Sequence, residues 1–314
     1  MQDLERVIKT SADFKEFQDK INSGSLAKTI MLISKDNDYA FSFACLLSTA
    51  IFGDEESYQK VMAESHPDLK IYPVKDRLLV SDSEEIVFES AVKPIFASKK
   101  VFIIRDIDKG MESAQNKLLK TLEEPESNVY FILTTTNVNL VLPTIRSRCV
   151  RTTLGKLNEE EIKSVIGQGE NSALAIVLSE GLIGKAQRLN GKKDLKLIFE
   201  NVLSIFTNLK ASKDLLGYSK KLANFYLESD LIFTCFSQII EDLLFIKCGK
   251  SESVKLKDYR HNLESVQGEY TIKALSEIRE LVDKAVKEMM YNCNFIVVLE
   301  NLILNTLEVK YLCR

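Results

Sequence analysis

The sequence predicts an α/β domain on a mostly parallel sheet, then a small helical domain, then an all-α bundle. Three observations carry this reading. Apolar strand-like runs alternate with helical segments over residues 1–153. From about Leu154 the strand pattern stops, and short helices punctuated by glycine follow. Beyond "GKKD" (191–194) the chain has no proline, little glycine and a helical period. The expected domains are 1–153, 154–194 and 195–314.

Each element has a local reason. "DFKEFQDKIN" (13–22) reads as a helix broken by "NSGS". "TIMLIS" (29–34) is a short buried strand, and "YAFSFACLLSTAIFG" (39–53) an apolar helix stopped by Gly53. "HPDLKIYPV" (66–74) is a strand candidate bounded by Pro67 and Pro73. In "SDSEEIVFESAVKPIF" (81–96), Ser81 precedes Glu84 at capping-box spacing, which predicts a helix start. "KKVFIIRD" (99–106) is a strand, "SAQNKLLKTLEE" (113–124) a helix stopped before Pro125, and "NVYFILTTTN" (128–137) another strand. Strands alternating with helices imply crossover connections, a parallel sheet and helices on both its faces. "NEEEIKSVIGQG", "SALAIVLSEG" and "GKAQRLNG" then supply the small helices.

Composition narrows the function classes. A net charge of −3 gives no global basic field to hold a polyanion. Lys192, Lys193 and Lys196 form a local basic row that reads as a solvated helix face. The cysteines, Cys45, Cys149, Cys235, Cys248, Cys293 and Cys313, show no CxxC spacing and have no histidine beside them in sequence. Reduced thiols are expected, with no zinc site. The first residues are charged and lack an apolar signal core, and the helix at 231–247 is interrupted by Gln238, Glu241 and Asp242. A cytoplasmic protein without a membrane span is expected.

A sheet domain followed by small helices invites a search for a phosphate-binding loop after the first strand. "SKDNDYAFSF" (34–43) stands there, with no glycine and two aspartates, and Lys35 precedes any helix start. It reads as an ordinary strand-to-helix turn. At the end of the next central strand, "FIIRDID" puts Arg105 where a metal carboxylate would belong. Asp106 and Asp108 alternate and share a side, yet Mg²⁺ normally completes its shell with phosphates that this site lacks. No metal and no cofactor are expected. Cys149 and His66 are a conceivable nucleophile pair, with packing as the simpler role for a strand-end cysteine; His261, the other histidine, is distant.

The motifs "AQNKLLKTLEEP" (114–125) and "LPTIRSRC" (142–149), with "HPDL" (66–69), make the stretch 101–149 resemble the clamp-loader branch of the AAA+ family. The resemblance implies an AAA+-type sheet domain, a small helical lid domain and a C-terminal helical collar. It also implies that Arg148, within Ser147, Arg148 and Cys149, acts as an arginine finger on a neighbouring subunit's ATP. A guanidinium at the γ-phosphate offsets charge developing on the transferred group. Arg146 would pair with phosphate or an acidic neighbour. The family's nucleotide positions are degenerate: Lys35 stands without a phosphate loop, Arg105 and Asp106 take the places of the metal-binding aspartate and catalytic glutamate, and Gly184 replaces the lid's sensor arginine. Thr135, Thr136 and Asn137 match a polar sensor with no γ-phosphate to sense. Arg105 is expected to close the vacant site by pairing with Asp106 or a neighbour of Asp108. The four-cysteine knuckle of related chains has no counterpart in "GDEESYQKVMAES".

The resemblance thus implies a subunit that is not itself an enzyme and that joins a pentameric ring. Its partners would be clamp-loader ATPase subunits and a delta subunit, with the sliding clamp and primer-template DNA reached through the complex, and no membrane. Two other readings stay open from sequence: an active family ATPase with a divergent phosphate loop, and a structural adaptor without finger function.

Overall fold

Five short strands form a wholly parallel sheet: β1 (Thr29–Ile33), β2 (Leu69–Tyr72), β3 (Lys100–Ile104), β4 (Val129–Thr135) and β5 (Val150–Thr153). Their spatial order is β2-β3-β4-β1-β5. The computed structural model describes residues 2–73 and 75–312; Val74 and Cys313, which entered the sequence reading, lie outside the described residues. β1, β3 and β4 are continuous apolar runs because both faces of the sheet are covered.

The helices of this part are α1 (Gln2–Thr10), α2 (Ala12–Asn22), α3 (Asn37–Phe52), α4 (Glu55–Met62), α5 (Val80–Ser90), α6 (Glu112–Glu123), α7 (Pro143–Arg146) and α8 (Glu159–Ile166). Phe102, Ile104, Phe131 and Leu133 share a core with Ile86 of α5 and Leu118 and Leu122 of α6. The alternate residues Ile30, Leu32, Ile103 and Ile132 are equally inaccessible to solvent, and α3 packs against β1, β3 and β4. So α5 and α6 cover one face and α3 the other. Gly53 ends α3 in a left-handed conformation (φ 86°), as its position after the apolar run predicts.

Two local expectations are corrected. Ser81 and Glu84 do not cap α5: the helix starts two residues earlier, where the Leu79 N–H donates to the Asp82 carboxylate at 2.8 Å. The helix also stops at Ser90, well before Pro94. Residues 91–99 then run without regular structure to β3, held by Asp68. This carboxylate is fully buried and accepts the N–H groups of Ile95, Phe96 and Ala97 at 2.6, 2.7 and 2.6 Å. The "HPDL" motif is therefore a loop anchor. β5 is the strand the sequence reading did not name. Its "VRTT" lacks an apolar run, as suits a partly exposed edge strand.

The remaining helices are α9 (Ser172–Leu178), α10 (Ile183–Asn190), α11 (Leu195–Asn208), α12 (Leu215–Ala223), α13 (Ser229–Lys247), α14 (Arg260–Val266), α15 (Ile272–Met290) and α16 (Phe295–Leu312). The chain divides into two units, residues 1–165 with 181–185, and 166–180 with 186–314. In the second unit, Leu174, Leu178 and Leu189 share one core with Phe199, Phe206, Phe236, Ile278 and Leu299. Asp242 on α13 is fully buried and accepts the backbone N–H groups of Lys255 and Leu256 at 3.2 and 2.8 Å, which fixes the loop after α13. Among the described residues no helix is long and apolar enough to cross a membrane.

The Asp68 anchor is testable. Asp68→Ala strands three backbone donors and is expected to cost about 2–4 kcal/mol in denaturant unfolding. Amide exchange at Ile95, Phe96 and Ala97 should accelerate more than at the sheet strands.

Candidate functional site

The turn between β1 and α3 carries the decisive geometry. Asp36 is the N-cap of α3, and its Oδ1 accepts the N–H groups of Asp38 at 3.2 Å and Tyr39 at 3.1 Å. Its Oδ2 accepts the Gly184 N–H at 2.7 Å. The carboxylate is buried, with its residue only 7% exposed. A helix N-terminus following the first strand of such a sheet is where backbone N–H groups would receive a phosphate. Here the chain's own carboxylate occupies them. Lys35 beside it is exposed.

Gly184 has a positive reason to be glycine. A Cβ there would lie 2.6 Å from Asp38 Oδ2 and 2.8 Å from Asp36 Oδ1, so no side chain fits without moving the two carboxylates. The sequence reading saw a missing arginine; the structure adds a backbone donor in close approach. A cavity of about 270 Å³ adjoins the turn, lined in part by Lys35, Asp36, Tyr39, Thr136 and Lys156. Tyr39 is held as a neutral phenol, its pKa pushed up to about 12 by burial, then by the charges of Asp13, Glu161 and Asp36.

At the end of β3 the expected closure does not form. The Arg105 guanidinium lies over the Phe41 ring of α3, 4.1 Å from its centroid, and not on Asp106. The Asp106 carboxylate receives Lys109 Nζ at 2.8 Å and Asn37 Nδ2 at 3.3 Å. Its backbone is left-handed (φ 48°), and its N–H donates to Thr134 Oγ1 at 3.1 Å. Asp108 accepts the Thr136 hydroxyl at 3.0 Å. Thr135 Oγ1 accepts the Asn137 N–H, and Asn137 Oδ1 the Asn139 N–H, both at 3.1 Å. The residues matched to metal, base and sensor positions are thus engaged by neighbouring groups of the chain itself. Among the described residues no group of three or more His, Cys, Asp or Glu side chains could hold a metal ion.

Arg148 follows α7 and is half-buried. Its Nε donates to Glu123 Oε2 at 2.8 Å, Nη2 reaches the same oxygen, and Nη1 donates to the Thr144 carbonyl at 2.8 Å. Ser147 Oγ also donates to the Thr144 carbonyl, at 3.0 Å. Arg146 Nε is buried and meets no acceptor among the described residues. Cys149 packs against the core under β3 and β4, and burial pushes its thiol up to about 12, far from a thiolate.

The Cys149–His66 pairing finds no support in this geometry. His66 Nδ1 accepts the Asp68 N–H at 3.1 Å, which puts the proton on Nε2, 3.0 Å from Ser57 Oγ. The ring stacks on Phe52 with centroids 4.1 Å apart. The Ser57 hydroxyl donates to Asp54 at 2.7 Å, so its proton is not directed at the imidazole. His66, Ser57 and Asp54 tie α4 to the start of β2.

Residues 9–158 match the family described as DNA polymerase III, delta subunit. The delta' subunit of DNA polymerase III from Haemophilus influenzae is 26% identical over 250 residues, which cover 76% of this chain and 74% of that one. Over these residues the chain is similar to subunits of DNA polymerase III. The gamma subunit of DNA polymerase III from Buchnera aphidicola subsp. Schizaphis graminum is 32% identical over 167 residues, 49% of this chain and 45% of that protein. The match therefore spans less than half of that relative's length. A solved Thermotoga maritima protein related to the gamma subunit aligns over 94% of this chain and 99% of that one, at 19% identity and a TM-score of 0.49. The fold itself is a five-stranded parallel α/β domain with a helical C-terminal part.

Two measurements probe the site. Asp36→Ala removes the acceptor of three N–H groups and is expected to cost about 2 kcal/mol, with Asp36→Asn milder. Faster amide exchange at Asp38, Tyr39 and Gly184 together would check it. His66 is the second: burial, partly offset by Asp68 and Asp54, lowers its pKa below 6.5, so the unfolded chain binds the proton first. Stability is full above that unfolded value and falls as pH drops through it. The unfolding midpoint should decline between about pH 7 and pH 5, and His66→Asn should flatten that slope.

Proposed function

We propose that this chain is a DNA polymerase III clamp-loader subunit that does not bind ATP and supplies Arg148 in trans to a neighbouring ATPase subunit. The observation that carries the reading is Asp36. A carboxylate that holds the N–H groups at the start of α3 leaves no donors for a β- or γ-phosphate and would repel one. The Lys109–Asp106 pair and the Arg105–Phe41 stack support it, since neither leaves an oxygen ligand set for Mg²⁺. The proposed assembly is a pentameric ring in which residues 195–314 serve as the collar and residues 154–194 as the lid. In it the chain meets ATPase subunits and a delta subunit, and the complex loads a sliding clamp onto primed DNA. The work of Arg148 would be electrostatic, placing a planar donor fork against charge that develops on the phosphoryl group.

Titration of the isolated chain with Mg·ATP should give no binding at micromolar nucleotide; saturable, Mg²⁺-dependent binding would overturn the reading. In a complex reconstituted with clamp-loader ATPase subunits of the same organism, Arg148→Ala should lower turnover at the adjoining site by about 10³-fold. Because other sites in the ring keep their own fingers, the drop in total turnover is smaller. Unchanged turnover would remove the finger.

A further inference from the structure

Arg148 is not a bare guanidinium waiting for phosphate. Nε and Nη2 converge on one oxygen of Glu123, and Nη1 is held by the Thr144 carbonyl. Every guanidinium nitrogen is already engaged within the chain. We propose that Glu123 is a latch: it holds Arg148 inside its own subunit until a phosphate from outside displaces the carboxylate. The proposal rests on the finger reading of Arg148 and adds a regulator to it.

Three features make the contact a latch and not a fixed structural pair. The side chains are 27% and 54% exposed, so the pair is solvated and weak enough to exchange. Both donors meet a single oxygen, whereas the strongest carboxylate geometry spreads parallel N–H bonds over two oxygens. A terminal phosphate offers more charge and more oxygens to the same fork. Finally, Glu123 is the last residue of α6, where the backbone carbonyls leave a negative end that disfavours a carboxylate. Arg148 compensates that placement. Its departure restores the unfavourable interaction, which sets a threshold against release when no phosphate is near.

The consequence is a penalty on engagement equal to the reciprocal of the fraction of time the latch is open. Removing the charge of Glu123 should lift that penalty without touching Arg148. In the reconstituted complex, Glu123→Gln should raise kcat/KM for ATP about two- to five-fold, with the gain largest at low nucleotide. A residue that merely supported the fold would lower this ratio or leave it alone.

The test is a cycle of wild type, Glu123→Gln, Arg148→Ala and the double variant, with equal assembly confirmed by co-elution of the subunits. The expected pattern is a gain for Glu123→Gln that disappears in the Arg148→Ala background. If Arg148→Ala lowers turnover while Glu123→Gln lowers it or leaves it unchanged, the latch is wrong and the finger stands. If Arg148→Ala changes nothing, the finger fails and the latch falls with it. Glu123→Ala serves as the second variant, and in the free chain both changes should speed solvent exchange of the Arg148 Nε–H; unchanged exchange would also overturn the latch.

Discussion

The hydrogen bonds around the Asp36 carboxylate organise the end of the sheet in this chain. The first N–H groups of α3 have no intrahelical acceptor and must meet something. Asp36 meets two of them and reaches across to the Gly184 N–H with its other oxygen. The segment 181–185 is thereby fastened beside the β1–α3 turn, where Leu157 N–H also donates to the Gly181 carbonyl. The cost is steric: position 184 has no room for a side chain. Gly184 and Asp36 are thus parts of one arrangement.

The same economy extends along the strand ends. Arg105 lays its charge on an aromatic face, Lys109 pairs with Asp106, and the Thr136 hydroxyl donates to Asp108. These contacts leave few polar groups turned toward a ligand. Arg148 contrasts with all of them. Its partner is solvated and offers it a single oxygen, so this contact is the exchangeable one in the group.

Much of this was legible in the residues, for definite reasons. β1, β3 and β4 announce themselves because strands covered on both faces need unbroken apolar runs. β5 is silent because a short edge strand needs none. The start of α5 was misread because Ser81–Glu84 and Leu79–Asp82 have the same spacing, and the working box uses the Leu79 backbone N–H with no capping side chain on Leu79. Asp36 was readable as an N-cap from its place before an apolar helix, but its bond to Gly184 spans 148 positions. Likewise "FIIRDID" gave no sign that Arg105 would lie over Phe41, and "LEEP" none that Glu123 would grip Arg148. Tertiary contacts of this range leave no local pattern.

The Asp36 bonds also have a thermodynamic consequence. A domain that closes on a dissociable ligand gains stability with the logarithm of ligand concentration, so its rigidity follows the state of the solution. Here the anion is tethered to the backbone at fixed effective concentration and cannot leave or be hydrolysed. The order of the turn and of residues 181–185 therefore needs no dissociable anion to complete it. Its geometry is set by the sequence, at a fixed effective concentration, and not by the composition of the solution.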